Sequence, residues 1–160
     1  MKKAKNIPQK SQDIVIYRSS RGNVTLRADM RQDTVWATLD QIALLFDRDK
    51  SVVSRHLKNI FNDRELDKNS VVAKNATTAR DGKTYKVEFY NLDAILSVGY
   101  RVNSKQATQF RIWATETLHD YIMHGVAINN ERIKKLSDER LFDLNKKISF
   151  IQDIIRKKIS

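Results

Sequence analysis

The stretch LDQIALLFDRDKSVVSRHLKNIF, residues 39–61, leaves this chain few ways to fold. Leu39, Ile42, Ala43 and Phe46 recur at i, i+3, i+4 and i+7, one face of a helix, and Thr38 stands where a cap is needed. Asp47-Arg48-Asp49 is too polar to continue that face; it makes a turn, and Asp49 is placed to cap a second helix. That second helix turns Val53, Leu57, Ile60 and Phe61 inward and Lys50, Ser51, Ser54, Arg55 and Lys58 outward. A small Ala43 lets the two helices approach, which is the layout of a helix-turn-helix. The turn position that usually takes glycine holds Asp47, which tolerates the left-handed region at some cost. A plain structural helix pair would show the same periodicity, so the outward cations carry the functional reading.

Charge favours that reading. Among 160 residues, 30 Lys and Arg face 19 Asp and Glu, a net charge of +11 that points to a polyanionic partner. A hydrophobic fraction of 41% is enough to build a real core. With no cysteine there are no disulfides and no thiolate metal sites, which fits a cytoplasmic protein. No apolar region follows the basic N-terminus, so we read no signal peptide, and no run approaches a membrane span.

Residues 1–12 read as a disordered basic arm with Lys2, Lys3, Lys5 and Lys10. Residues 14–17, 24–29 and 34–37 read as short strands, with a turn at 19–23 and Trp36 in the core. After a polar loop at 62–67, residues 71–74 and the alternating 85–90 form a hairpin around Asp81-Gly82. A hairpin after a helix-turn-helix is a wing, and Arg80 and Lys83 at its tip are placed for phosphates or a minor groove. Tip cations also serve simply as solubilising residues. Asn91 caps a short helix closed near Gly99, and Ser104 caps a longer one ended by Gly125. The longer helix shows an apolar face of Ala107, Phe110, Ile112 or Trp113, Ala114, Leu118, Tyr121 and Ile122. Beyond a polar linker at 129–140, Leu141, Leu144, Ile148, Ile151 and Ile155 are spaced 3-4-3-4, an a/d seam of two heptads. Phe142, Phe150 and Ile154 lie beside it, and the seam points to self-association.

No enzyme is legible. His56 flanks the outward face of the second helix and reads as exposed, and Glu116 and His119 read as a surface pair rather than metal ligands. Asp63, Glu65 and Asp67 read as solvated loop acids, because no rigid strand end holds them. Four glycines leave little from which to build a phosphate-cradling loop, so no cofactor and no small-molecule substrate are expected.

The run TVWATLDQIALLFDRDKSVVSRHLKNIF, followed by DGKTYKVEFYNLDAILSVGYRVNSKQATQFRIWATETLHDYIMHG, closely resembles the RhuM family of virulence-associated bacterial proteins. Residues 100–122, with Phe110, Trp113 and Leu118, are also similar to the end of the Bro-N domain of phage and viral DNA-binding proteins. The chain departs from the family after Phe46, where glycine is usual, and at Gln106-Ala107, where Arg-Gly is common. The resemblance implies an α+β protein with a winged helix-turn-helix-like domain over 13–127, its small antiparallel strands followed by a helical pair. A long C-terminal amphipathic helix then fills 128–160. It implies a DNA-related role, with Lys50, Ser51, Ser54 and Arg55 as the reading face, and no reaction. The expected protein is therefore a transcriptional regulator that binds double-stranded DNA as a homodimer joined by its C-terminal helix. The alternative is a protein-interaction module, an effector or antirepressor-like factor with no specific DNA site of its own.

Overall fold

A computed structural model describes residues 13–14, 18–19, 22–23, 26–29, 34–134, 136 and 138–160. The expected basic arm at 1–12, and parts of the first two expected strands at 15–17 and 24–25, lie outside the described residues. In chain order, β1 (Asp13–Ile14), β2 (Arg18–Ser19), β3 (Gly22–Asn23), β4 (Leu26–Asp29) and β5 (Thr34–Thr38) come first. The helices α1 (Leu39–Phe46) and α2 (Lys50–Asn62) follow, then the short α3 (Lys68–Val71) and the hairpin of β6 (Val72–Thr78) and β7 (Thr84–Asn91). The chain closes with α4 (Leu92–Arg101), α5 (Lys105–His124), the short α6 (Asn130–Ile133) and α7 (Asp138–Ile159). The fold is α+β.

The five-stranded antiparallel sheet has the order β1-β4-β5-β7-β6, and β2 and β3 pair separately. Alternation along β5 and β7 splits their side chains between two faces. Val35, Ala37 and Tyr90 join the main core under the helices, whereas Trp36, Ala73 and Phe89 form a second cluster on the other face. Trp36 is thus core, as expected, but it is not under the helix pair. Val71, read as the first residue of a strand, belongs to α3. Asp67 turns the chain there, accepting from Asn69 N–H at 3.3 Å and from the Ser70 hydroxyl at 3.0 Å.

The local signals set the helix boundaries. Thr38 Oγ1 accepts from Gln41 N–H at 3.2 Å while Gln41 Oε1 accepts from Thr38 N–H at 2.8 Å, a reciprocal cap that fixes where β5 becomes α1. Asp47 ends α1 in the left-handed region with φ 52°, as the missing glycine requires. Asn91 and Ser104 cap α4 and α5 by accepting from Ala94 and Ala107 N–H. Asp49 holds the N-cap position of α2, but its side chain makes no capping bond.

Two long-range bonds then tie the elements together. The Ser104 hydroxyl donates to Phe46 C=O at 2.6 Å, joining the end of α1 to the start of α5. Arg111 donates to the carbonyls of Gly99 and Val102 at 3.0 and 2.8 Å, satisfying carbonyls that the end of α4 leaves open. At this corner Phe46 meets Phe110 edge to face, with centroids 5.3 Å apart, directly over Gly99.

The apolar face of α5 requires a correction. Ala107, Phe110 and Ala114 are buried and Trp113 packs at their edge, but Ile112, Leu118, Tyr121 and Ile122 are exposed. Twenty residues of α-helix span about 30 Å, and the core beneath α5 is shorter than that. The stripe therefore runs on past its cover. Likewise α7 begins only at Asp138, after the separate turn of α6, and none of its residues is buried.

Gly99→Ala tests the corner. A Cβ there would lie 2.6 Å from Phe110 Cδ1 and 2.9 Å from Phe46 Cζ. Overpacking of this kind costs about 1–3 kcal/mol, against a gain of about 1 kcal/mol from replacing a helical glycine. We expect a net loss of stability, seen as a lower urea midpoint; a raised midpoint would show that the two rings have room to spare.

Candidate nucleic-acid interface

α2 presents the outward face its sequence announces. Lys50, Ser51, Ser54, Arg55 and Lys58 are all exposed, and Val53, Leu57 and Ile60 on the opposite face anchor the helix in the core. The cations differ in their surroundings. Lys50 Nζ is paired with Asp40 in the first turn of α1, so its charge is already met within the protein. Arg55 and Lys58 have no carboxylate within ion-pair distance among the described residues. Beside the inter-helix turn lies an open indentation of about 450 Å³, with Leu44, Arg48 and Val52 among its walls.

The hairpin tip is held by its own residues. Gly82 takes φ 77°, Asp81 Oδ1 accepts from Lys83 N–H at 2.9 Å and Asp81 Oδ2 accepts from the Tyr85 hydroxyl at 2.8 Å. Both bonds hold the Asp81 carboxyl below its ordinary pKa, the backbone bond from Lys83 contributing most. Arg80 and Lys83 are exposed at this tip, as expected. Their position is set by the loop's internal bonds and not by the core.

Three residues sit differently from their reading in the sequence. His56 is half-buried, not exposed. Burial first, then the charges of Arg55, Arg101 and Arg48, hold its imidazole below the ordinary histidine pKa. Asp63 and Glu65 are not merely solvated: both accept from Arg101, at 3.1 and 2.6 Å. That bond, followed by one from Ser97, lowers the Glu65 pKa. The end of α4 thus grips the loop that closes α2. On α5, His119 lies 3.9 Å from Asp120, and no ion pair to Glu116 occurs among the described residues. No group of three or more His, Asp or Glu suited to a metal ion occurs among the described residues. No helix among them is long and apolar enough to cross a membrane.

Residues 70–157 match the model of the Virulence protein RhuM family, more than half of the chain. The chain belongs to this family. No curated protein and no solved structure matches it. The matched part of this RhuM protein takes in the hairpin, α4, α5 and nearly all of α7, and leaves α1 and α2 outside it. What the sequence of this RhuM chain did not announce is the convergence of Arg48, Arg55 and Arg101 near His56. Arg101 is distant in sequence, and no local pattern relates it to α2.

His56 provides a pH test. Its folded-state pKa is depressed, so between that value and about 6.5 the unfolded chain binds the proton more readily than the folded one. Stability is therefore lost as pH falls below about 6.5. Urea unfolding at neutral and mildly acidic pH should show a smaller acid loss in His56→Gln than in the wild type. An equal loss in both would mean that His56 titrates as it does in water.

Proposed function

We propose that this RhuM protein binds duplex DNA through a winged helix-turn-helix and acts as a transcriptional regulator. One observation carries the reading: α1 and α2 are inserted between β5 and β6, and the strands stand in the order β5-β7-β6. This puts the outward face of α2 and the β6-β7 hairpin on one continuous stretch of chain, the arrangement in which a recognition helix enters the major groove and a wing reaches the backbone. The exposed Arg55 and Lys58, which have no carboxylate partner among the described residues, support it, as does the net charge of +11.

On this reading Arg55 meets a base edge, a guanine if the contact is bidentate, at about 1–3 kcal/mol of discrimination. Ser51 and Ser54 contact bases or phosphates. Lys58, Arg80 and Lys83 neutralise phosphates, and Lys50 joins them only by leaving Asp40. No chemical step is proposed. The regulator would work as a homodimer joined by α7, in the compartment that holds the DNA. A second reading, a protein-interaction module, is favoured by a different observation, the uncovered apolar side chains of α5 and α7.

A salt titration of binding to duplex DNA decides between them. For the wild type, log K should fall linearly with log salt, at a slope of about −0.9 per phosphate contact. Lys58→Ala should weaken every sequence alike and flatten the slope by about one contact. Arg55→Ala should relax sequence preference. If the wild type and the Arg55→Ala/Lys58→Ala variant bind with the same affinity and slope, α2 is not the DNA surface and the interaction module is the better reading.

A further inference from the structure

α7 and the far half of α5 leave apolar side chains without cover, and their charges are opposite. Leu118, Tyr121 and Ile122 continue the buried stripe of α5 and are 51%, 61% and 72% exposed. In a chain of net charge +11, no Lys or Arg occurs between Arg111 and Arg132, while Glu116 and Asp120 lie on this overhang. The first turns of α7 are also acidic, with Asp138, Glu139 and Asp143 against Arg140. The C-terminal end is basic, with Arg156, Lys157 and Lys158 after Asp153, and Lys146 and Lys147 lie just before the midpoint.

The apolar surface of α7 is likewise uneven. In its first half only Leu141 and Leu144 face the seam, and Phe142 turns away under the Lys146 ammonium, 4.6 Å from its ring. In its second half Ile148, Phe150, Ile151, Ile154 and Ile155 spread over about half of the helix circumference at 3.6 residues per turn. A two-stranded seam covers less than that, so this half needs a second apolar neighbour.

We propose that two copies pair through α7 in antiparallel orientation, the basic C-terminal end of each α7 lying on the acidic first turns of α7 and the α5 overhang of the second copy. The seam is nearly symmetric for this pairing: with Ile148 at the two-fold axis, Leu141 meets Ile155, and Leu144 comes within one residue of Ile151 of the second copy. Asp138 and Glu139 then lie opposite Lys157 and Lys158 of the second copy. Residues 125–137 tether the start of each α7 to the end of its own α5, so the arriving basic end meets both surfaces together. Parallel pairing brings Arg156, Lys157 and Lys158 against themselves and carries the wide apolar half away from both overhangs. Folding α7 back onto its own α5 sets Asp138, Glu139 and Asp143 against Asp120 and Glu116. The proposal rests on the homodimer reading but needs no DNA, so it stands or falls separately from DNA binding.

The absence of cysteine makes the test direct. Leu141→Cys and Ile155→Cys change exposed positions outside the core, and light scattering of the full-length chain reports its mass. The expected result is a dimer in which oxidation of an equimolar mixture gives the 141–155 disulfide, and each variant alone gives little cross-link. A monomer by light scattering overturns the proposal, as do 141–141 and 155–155 disulfides. For the overhang, Glu116→Lys/Asp120→Lys should raise the dimer dissociation constant about tenfold or more, through like charge at the contact. An unchanged constant would remove α5 from the interface.

Discussion

Gly99 passes close beneath the rings of Phe46 and Phe110. α1, α4 and α5 meet there, and only a residue without Cβ allows α4 to lie so near the ring pair. The polar bonds around the point follow from it. Once the helices are this close, the Ser104 hydroxyl can reach Phe46 C=O and Arg111 can reach the carbonyls that α4 leaves open. Burying two phenyl rings supplies a driving force of about 1.5–3 kcal/mol for each, and the hydrogen bonds fix which packing receives it. The orientation of α2 depends on this corner, since α2 rests mainly on α1 and α4.

Much of this was legible in the residues because it is local. The spacing of Leu39, Ile42, Ala43 and Phe46 fixes a helix face, Thr38 and Gln41 fix its start, and Asp81-Gly82 fixes a hairpin turn. None of these requires knowledge of a distant partner. Phe110 was identifiable as core, and Trp113 as packed against it, for the same reason. The RhuM resemblance read in the sequence agrees with the family match over 70–157.

What the residues withheld was long-range. Periodicity says which side of a helix is apolar, and not where its cover ends, so Leu118, Tyr121 and Ile122 looked like core until the length of α5 was set against the body beneath it. Arg101 gave no sign that it would hold Asp63 and Glu65, because the pairing closes a loop of more than thirty residues and leaves no trace in local spacing. His56 looked exposed because its neighbours along α2 are polar, while its burial comes from other parts of the chain. At the candidate interface, the sequence correctly placed the cations on one helical face, but could not distinguish Lys50, held by Asp40, from Arg55 and Lys58.

The ring contact over Gly99 also bears on the order in which the protein is made. A chain leaves the ribosome from its N-terminus, so α1 and α2 emerge while Phe110 is still to be translated. Until α5 follows, Phe46 and the underside of α1 have no lid, and the helix pair travels as half of a core. Contacts this far apart in sequence form late, because the intervening loop must be closed before they repay its entropy. During synthesis, then, the segment that presents Arg55 and Lys58 acquires its fixed orientation only after the hairpin and α4 have been added. A nascent chain halted before α5 would carry every residue of the outward face and none of the scaffold that aims it.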